Sequence, residues 1–147
     1  MLFRSDVVRR AGCEPAALDR LLADSDVVTL HCPSTPATRR MIDARTLEAM
    51  KPGALLVNVA RGDLVETAAL TSSLQSGRLA GAALDVFDPE PLPADHPLRS
   101  MENVIVSSHI ASASVKAVRQ LRETVAGLAV GVLQGRPAVN VVNGVGR

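Results

Sequence analysis

Short apolar segments alternate along the chain with segments whose apolar residues recur at helical spacing. The short segments contain mainly β-branched and small aliphatic residues, which is typical of strands that are buried on both faces. Because strands that alternate with helices form parallel sheets, this pattern predicts an α/β fold. The strands are predicted at residues 26–30, at 54–59, within 79–87 and at 103–107.

Helices are predicted between these strands. Proline is tolerated in a first helical turn, so Pro15 is placed at the start of the first helix. Asp43 is predicted to cap the second helix, and Gly77 is predicted to end the third. The predicted helices cover residues 14–22, a short stretch after Asp43, residues 68–75 and residues 114–133.

The composition narrows the range of functions. Two Phe and no Tyr or Trp leave the core to aliphatic side chains, as in parallel sheets flanked by helices. A net charge of +1 gives no reason to expect a nucleic acid partner or an anionic membrane. The longest apolar run, residues 125–133, is too short to span a bilayer, and we expect no signal peptide and no membrane partner.

The two cysteines give no sign of a metal site or a disulfide framework. Cys13 and Cys32 have no partner at metal-ligand spacing, and two cysteines are too few for a small disulfide scaffold. We therefore expect free thiols, a reducing cytoplasmic location and no bound metal.

Polar side chains follow three of the predicted strands. Arg61 comes just after the second strand, Glu90 lies in a proline-rich loop after the third, and His109 follows the fourth. Ligands of parallel α/β sheets bind at the carboxyl ends of the strands, which meet at one edge. Any one of these residues alone would more often be a surface charge or a structural residue. Their joint placement predicts a site in which Glu90 lies near hydrogen-bonding reach of His109.

The three side chains suit the chemistry of a 2-keto or 2-hydroxy acid. The planar guanidinium of Arg61 matches a carboxylate with two parallel hydrogen bonds. His109 can give or take the proton of the C2 oxygen near neutral pH. Glu90 can hold the other ring nitrogen, which fixes the tautomer and favours the protonated imidazole. The hydride must come from a cofactor, because no side chain supplies one.

Four sequence motifs resemble the D-isomer-specific 2-hydroxyacid dehydrogenase family. They are SDVVTLHCPSTPATRRMI (residues 25–42), KPGALLVNVARGDLVE (51–66), GAALDVFDPEPLP (81–93) and NVIVSSHIASAS (103–114), followed by the tail GRPAVNVVN (135–143). The match covers nearly the whole chain in the family's order. The resemblance implies a Rossmann-like, doubly wound parallel sheet and an oxidoreductase that transfers hydride between NAD(P) and a 2-hydroxy or 2-keto acid.

The resemblance also implies a role for each candidate residue. Arg61 would bind the carboxylate and carbonyl of the substrate, His109 would donate the proton, and Glu90 would be the partner of His109. Asp85 would take the nicotinamide carboxamide, because carboxylate oxygens accept amide hydrogens. The residues implied to line the cofactor are Cys32, Pro33, Val59, Ala60, Arg61, Asp85, His109 and Ser112.

The sequence departs from the family pattern in three respects. Ser108 replaces the proline that usually precedes the catalytic histidine, and no G-x-G-x-x-G occurs in the sequence. The first strand, the glycine-rich loop and the first helix of a Rossmann unit are therefore expected to be missing, with residues 1–3 as the end of a strand. Arg4-Ser5 stand near the position of the acidic residue that usually holds the adenosine ribose, which would favour NADP, but Asp6 is adjacent, so NAD is expected and NADP is the alternative.

Residues 1–147 are accordingly interpreted as a partial NAD-binding domain, with residues 135–147 as its tail. The expected partner is a small 2-hydroxy or 2-keto acid, and a homodimer is expected of the full-length family member. Two alternatives stay open: a truncated, inactive fragment, or a non-catalytic NAD-sensing scaffold like the co-repressors of the same family. Glu90 favours a hydroxy acid over formate, because formate dehydrogenases of the family pair the histidine with glutamine.

Overall fold

The computed structural model describes residues 5–139 of the chain. The described residues fall into two compact units, one that ends at His109 and one that begins at Ile110. The strand end predicted at residues 1–3, Arg4 of the ribose-site comparison, and the last eight residues of the tail (140–147) lie outside the described residues.

The first unit is built on one parallel sheet. Its strands are β1 (Val27–Leu30), β2 (Leu55–Asn58), β3 (Gly81–Leu84) and β4 (Val104–Val106), in the order β1-β2-β3-β4. All three neighbouring pairs are parallel, and Leu30, Asn58 and Leu84 lie side by side at one edge. The four predicted strands and the α/β fold are confirmed, and all four carboxyl ends meet at the same edge.

The helices of this unit are α1 (Ser5–Arg10), α2 (Leu18–Asp24), α3 (Ala44–Ala49) and α4 (Thr67–Gln75), with 3₁₀ turns at Gly62–Leu64 and Pro97–Arg99. The predicted cap of α3 is confirmed: the Asp43 carboxylate accepts from the Thr46 N–H at 2.8 Å, and the Thr46 hydroxyl accepts from the Asp43 N–H at 2.7 Å. Helix α4 ends before Gly77, whose φ of +72° suits glycine.

The predicted start of α2 at Pro15 is wrong, and α1 was not predicted. Helix α2 begins at Leu18, after Ala17 in an extended conformation that makes no capping hydrogen bond. A proline disfavours helical backbone at the residue before it, which is Glu14 here. Ala17, the residue before the helix, has no side-chain oxygen that could cap it. Packing decides the helix instead, since Leu22 is completely buried in the core.

One face of the sheet carries the core. The buried strand residues Val28, Leu56 and Leu84 pack with leucines of α2, α3 and α4. The core is aliphatic, as the composition predicted. On the opposite face Val27 and Leu55 are exposed. Among the described residues, the helices of the first unit therefore cover one face of its sheet.

The second unit contains one long helix, α5 (Val115–Leu133). The Ser114 hydroxyl caps it by accepting from the Ala117 N–H at 3.1 Å, and it ends before Gly135, whose φ is +77°. The predicted bounds of this helix are confirmed. Within residues 5–139, no helix is long and apolar enough to cross a membrane.

Candidate active site

The loops that leave β2, β3 and β4 form one edge of the first unit. Arg61 lies in the loop after β2, Glu90 in the loop after β3 and His109 in the loop after β4. Because the three strands are parallel neighbours, these residues lie past the same ends of adjacent strands, as the sequence predicted.

Glu90 and His109 form a hydrogen-bonded pair. The distance from Glu90 Oε1 to His109 Nδ1 is 2.7 Å, which confirms the predicted contact. The second carboxylate oxygen accepts the backbone N–H of Phe87 at 3.3 Å. The bond with His109, and then that from Phe87, hold the pKa of Glu90 below its usual range. Glu90 is therefore a carboxylate near neutral pH and occupies Nδ1, so that Nε2 is the ring nitrogen away from it.

The backbone of His109 adopts a left-handed conformation. Its φ of +58° costs a residue other than glycine about 1 kcal/mol or more. The conformation is held by a hydrogen bond of 2.8 Å from the His109 N–H to the Asp85 carbonyl oxygen. The end of β3 therefore fixes the place from which the imidazole ring projects.

Asp85 is a buried carboxylate directly after β3. It is 4% exposed, and the Ser107 hydroxyl donates to its Oδ1. Its backbone N–H donates to the carbonyl oxygen of Asn58 at 3.0 Å. Asp85 is thus anchored to β2 through its N–H and to His109 through its carbonyl, and its carboxylate is oriented by a hydroxyl group.

Arg61 is exposed, and the structure does not pair it with Glu90 or His109. Its Nη1 donates to the carbonyl oxygen of Ala60 at 2.6 Å. The next residue, Gly62, lies so close to the backbone of Phe87 that a Cβ atom would overlap the Phe87 carbonyl group. The loop that carries Arg61 is therefore in direct contact with the loop that carries Glu90.

Asn58 and Ser107 also belong to the site, although sequence analysis did not identify them. The Asn58 side chain is buried and bonds to both the Ala60 N–H and the Arg61 carbonyl. The sequence contains a feature that could have identified each of these two residues. Asn58 is a polar residue inside the apolar run of β2, and Ser107 lies two residues before the candidate histidine.

A cleft of about 360 Å³ lies beside the Glu90–His109 pair. Phe87, Leu92, Arg99 and Ser108 are among the residues that line it. Its size is in the range of small-molecule sites. His109 and Glu90, the predicted proton donor and its partner, line this cleft. Arg61, the predicted carboxylate binder, does not.

Most of the residues implied to line a cofactor lie at the same sheet edge. Cys32 and Pro33 follow β1, and Val59 and Ala60 follow β2. The Cys32 thiol is 3.6 Å from the Met41 sulfur, and the Pro33 carbonyl accepts from the Thr38 hydroxyl at 2.7 Å. Ser112 belongs to the second unit.

The fold and site define the class first. The parallel α/β sheet, whose polar side chains gather at its carboxyl edge, has the architecture of a Rossmann-like nucleotide-binding domain. The family model of the D-isomer specific 2-hydroxyacid dehydrogenase NAD binding domain matches residues 3–111. The chain belongs to this family.

Relatives of known name agree with this assignment. The glyoxylate reductase of Thermofilum pendens is 45% identical over 126 residues, which are 86% of this chain and 37% of that protein. The glyoxylate reductase of Korarchaeum cryptofilum is 42% identical over 140 residues, 95% of this chain and 42% of that protein. The chain therefore spans about two fifths of the length of these curated relatives.

Solved structures show the same fold. The D-lactate dehydrogenase of Lactobacillus jensenii, solved with NAD⁺, has a TM-score of 0.88 at 32% identity, covering 97% of this chain and 46% of that one. A D-isomer specific 2-hydroxyacid dehydrogenase from Xanthobacter autotrophicus, solved with NADPH and MES, has a TM-score of 0.75 at 40% identity, covering 86% of this chain and 51% of that one.

Proposed function

We propose that the chain is the part of an NAD-dependent 2-hydroxyacid dehydrogenase that holds the nicotinamide and the proton donor. The observation that carries this proposal is the 2.7 Å pair of His109 Nδ1 and Glu90 Oε1 at the carboxyl edge of the sheet. A histidine held in this way presents its other ring nitrogen to a ligand, which is the arrangement of a general acid.

The donor set of the edge fits the nicotinamide end of NAD. The Asp85 carboxylate is buried and oriented by the Ser107 hydroxyl, so it suits the amide hydrogens of a carboxamide. The 147 residues contain no G-x-G-x-x-G to cradle a pyrophosphate, so the fit concerns this end alone. Cys32, Pro33, Val59, Ala60 and Ser112 are proposed to line the rest of the site, and the bound cofactor would supply the hydride.

His109 is proposed to donate a proton to the carbonyl oxygen of a keto acid. Its Nδ1 is held by Glu90, so Nε2 is the ring nitrogen that is left for a ligand. Arg61 is proposed to bind the substrate carboxylate through its guanidinium. In the structure this guanidinium donates to the Ala60 carbonyl, a contact that a substrate carboxylate would replace.

The proposed substrate is a small 2-keto acid and its 2-hydroxy acid. Two relatives are named glyoxylate reductase, and a third, from Blautia hydrogenotrophica, is named hydroxypyruvate reductase. Glyoxylate, hydroxypyruvate and pyruvate are therefore the compounds to assay, each with NADH and with NADPH.

The test is NADH oxidation by the native full-length polypeptide. The His109→Ala variant is expected to lower turnover about a hundredfold or more, because a general acid is lost. The matched control is His96→Asn, since the His96 ring accepts the Leu98 N–H at the start of the 3₁₀ turn Pro97–Arg99. Tight NADH binding without keto-acid reduction would instead favour a non-catalytic NAD-sensing scaffold.

We further propose a homodimer in a reducing compartment such as the cytoplasm. The two free cysteines support the compartment, and the homodimer is carried over from what the resemblance implies for the full-length family member. Residues 1–147 are proposed to be part of one NAD-binding domain, with residues 135–147 as its tail. Light scattering of the native protein tests the oligomeric state.

A further inference from the structure

Asn58, the last residue of β2, is a polar side chain at a core position. It is 1% exposed, whereas the rest of the strand is aliphatic. A leucine there would add hydrophobic stabilisation, and an amide is tolerated only because its polar atoms are bonded. The side chain therefore has a role other than packing.

Both ends of the Asn58 amide bind the loop that carries Arg61. Nδ2 donates to the Arg61 carbonyl oxygen at 2.9 Å, and Oδ1 accepts the Ala60 N–H at 3.1 Å. The two bonds fix the peptide groups on both sides of Ala60-Arg61, as asparagine side chains do in turns. The direction in which the Arg61 side chain leaves the backbone is thereby set.

The backbone of Asn58 extends this connection across the sheet. Its carbonyl oxygen accepts the Asp85 N–H at 3.0 Å, and the Asp85 carbonyl accepts the His109 N–H at 2.8 Å. Three hydrogen-bonded steps thus link the Arg61 loop to the backbone of His109. Asn58 makes both kinds of contact, because its backbone bonds to the next strand and its side chain bonds to the Arg61 loop.

We propose that Asn58 is a positioning residue that sets the substrate-binding geometry of Arg61. The proposal rests on the proposed function of Arg61 as carboxylate binder. It assigns to Asn58 an effect on the keto acid through Arg61, and Asn58→Asp, which keeps the acceptor for the Ala60 N–H, leaves the proposed cofactor lining in place. Asn58 acts through Arg61 and does not itself contact the substrate.

The test uses Asn58→Asp and Asn58→Ala in the native full-length polypeptide. Asn58→Asp keeps the acceptor for the Ala60 N–H but places a carboxyl oxygen, instead of a donor, against the Arg61 carbonyl at a position that is 1% exposed. Asn58→Ala removes both bonds without adding a carboxyl group, so a rise in the keto-acid KM in both variants separates loss of the bond from the effect of a buried charge. We expect the KM for the keto acid to rise about tenfold, the size of one lost hydrogen bond, with NADH affinity unchanged within about twofold.

A double-mutant cycle separates positioning from general destabilisation. In an Arg61→Ala background, Asn58→Asp is expected to cause no further rise in the keto-acid KM, because the residue that it positions is gone. The matched control is Thr46→Val at a residue that is 2% exposed; it removes the hydroxyl that accepts the Asp43 N–H at the start of α3 and should lower Tm without changing KM. Additive effects of the Asn58 and Arg61 changes would overturn the proposal.

Binding of oxamate, an unreactive isostere of a 2-keto acid, makes the test independent of turnover. If the wild type binds oxamate through Arg61 and Asn58→Asp weakens this binding about tenfold, the positioning role stands even without catalysis. If the wild type reduces keto acids and Asn58→Asp behaves like the wild type, this inference fails and the proposed function stands. A wild type that neither binds oxamate nor turns over overturns both.

Discussion

Glu90 is the residue whose charge state connects the site to pH. Its bonds with the His109 ring and then the Phe87 N–H favour the carboxylate form and lower its pKa. A carboxyl group whose pKa is lowered by folding contributes stability above its ordinary pKa, and this contribution is lost as the pH falls through the lowered value. The carboxylate therefore stays charged at neutral pH, where the proposed proton transfer takes place.

Glu90→Gln is expected to lower the free energy of unfolding at pH 5 to 7 by about 0.5 kcal/mol. The effect is small because the pair is half-exposed and solvent screens it. The difference from the wild type should shrink towards zero as the pH falls through the lowered pKa of Glu90, since the wild-type carboxyl is then protonated too. Urea unfolding at a series of pH values measures both. A difference that grows in acid would contradict the lowered pKa.

The sequence was sufficient to place Arg61, Glu90 and His109 at one edge of the sheet, because the carboxyl ends of neighbouring parallel strands lie at the same edge whatever the course of the loops. It was not sufficient for Ser107, whose hydroxyl meets Asp85 only through the pairing of β3 with β4. Nor could the sequence show that the Arg61 guanidinium donates to the Ala60 carbonyl oxygen. Such contacts depend on side-chain placement across loops that are distant in sequence.

At the level of elements, the approach of two loops depends on one glycine. The 3₁₀ turn Gly62–Leu64 begins against the backbone of Phe87, with no room for a Cβ atom. The Phe87 N–H in turn holds Glu90. Any side chain at residue 62 must push apart the loops that carry Arg61 and Glu90.

Gly62→Ala is therefore expected to lower the free energy of unfolding by about 3 kcal/mol and to weaken the Glu90–His109 contact. Gly127→Ala is the control, because a Cβ atom there meets nothing within 4 Å and alanine favours a helix such as α5 by about 0.5–1 kcal/mol. Thermal unfolding and the NMR shifts of the His109 ring measure the two effects. A Gly62→Ala protein as stable as the wild type would show that the loops can separate freely.

The same distinction between local and distant causes explains which helices the sequence predicted. The signals for α3 and α5 are local, since Asp43 and Ser114 cap these helices with their own side chains. Helix α2 has no such cap, and its start is set by where Leu22 enters the core. A capping side chain next to a helix can be recognised in the sequence, whereas a helix start that is set by tertiary packing cannot.

At the scale of the molecule, the first unit has a sheet with an aliphatic face towards solvent. Val27 and Leu55 are exposed there, and Ile105 is 72% exposed. A Rossmann-like sheet carries helices on both faces and binds the dinucleotide pyrophosphate at a glycine-rich turn before a helix. These 147 residues contain the carboxyl edge that we propose for the nicotinamide but no G-x-G-x-x-G turn.

A polypeptide of residues 1–147 alone is accordingly expected not to bind NADH or NADPH at micromolar concentrations. The pyrophosphate would find no cradle of backbone N–H groups at a helix N-terminus, and that anion contact is a main source of dinucleotide affinity. The control is a chimaera in which the strand, G-x-G-x-x-G turn and helix of a Rossmann unit precede residue 1, which should restore binding. Titration calorimetry of both proteins measures this difference. Micromolar NADH binding by residues 1–147, or glyoxylate-dependent NADH oxidation that His109→Ala removes, would show that the carboxyl edge suffices for a working site.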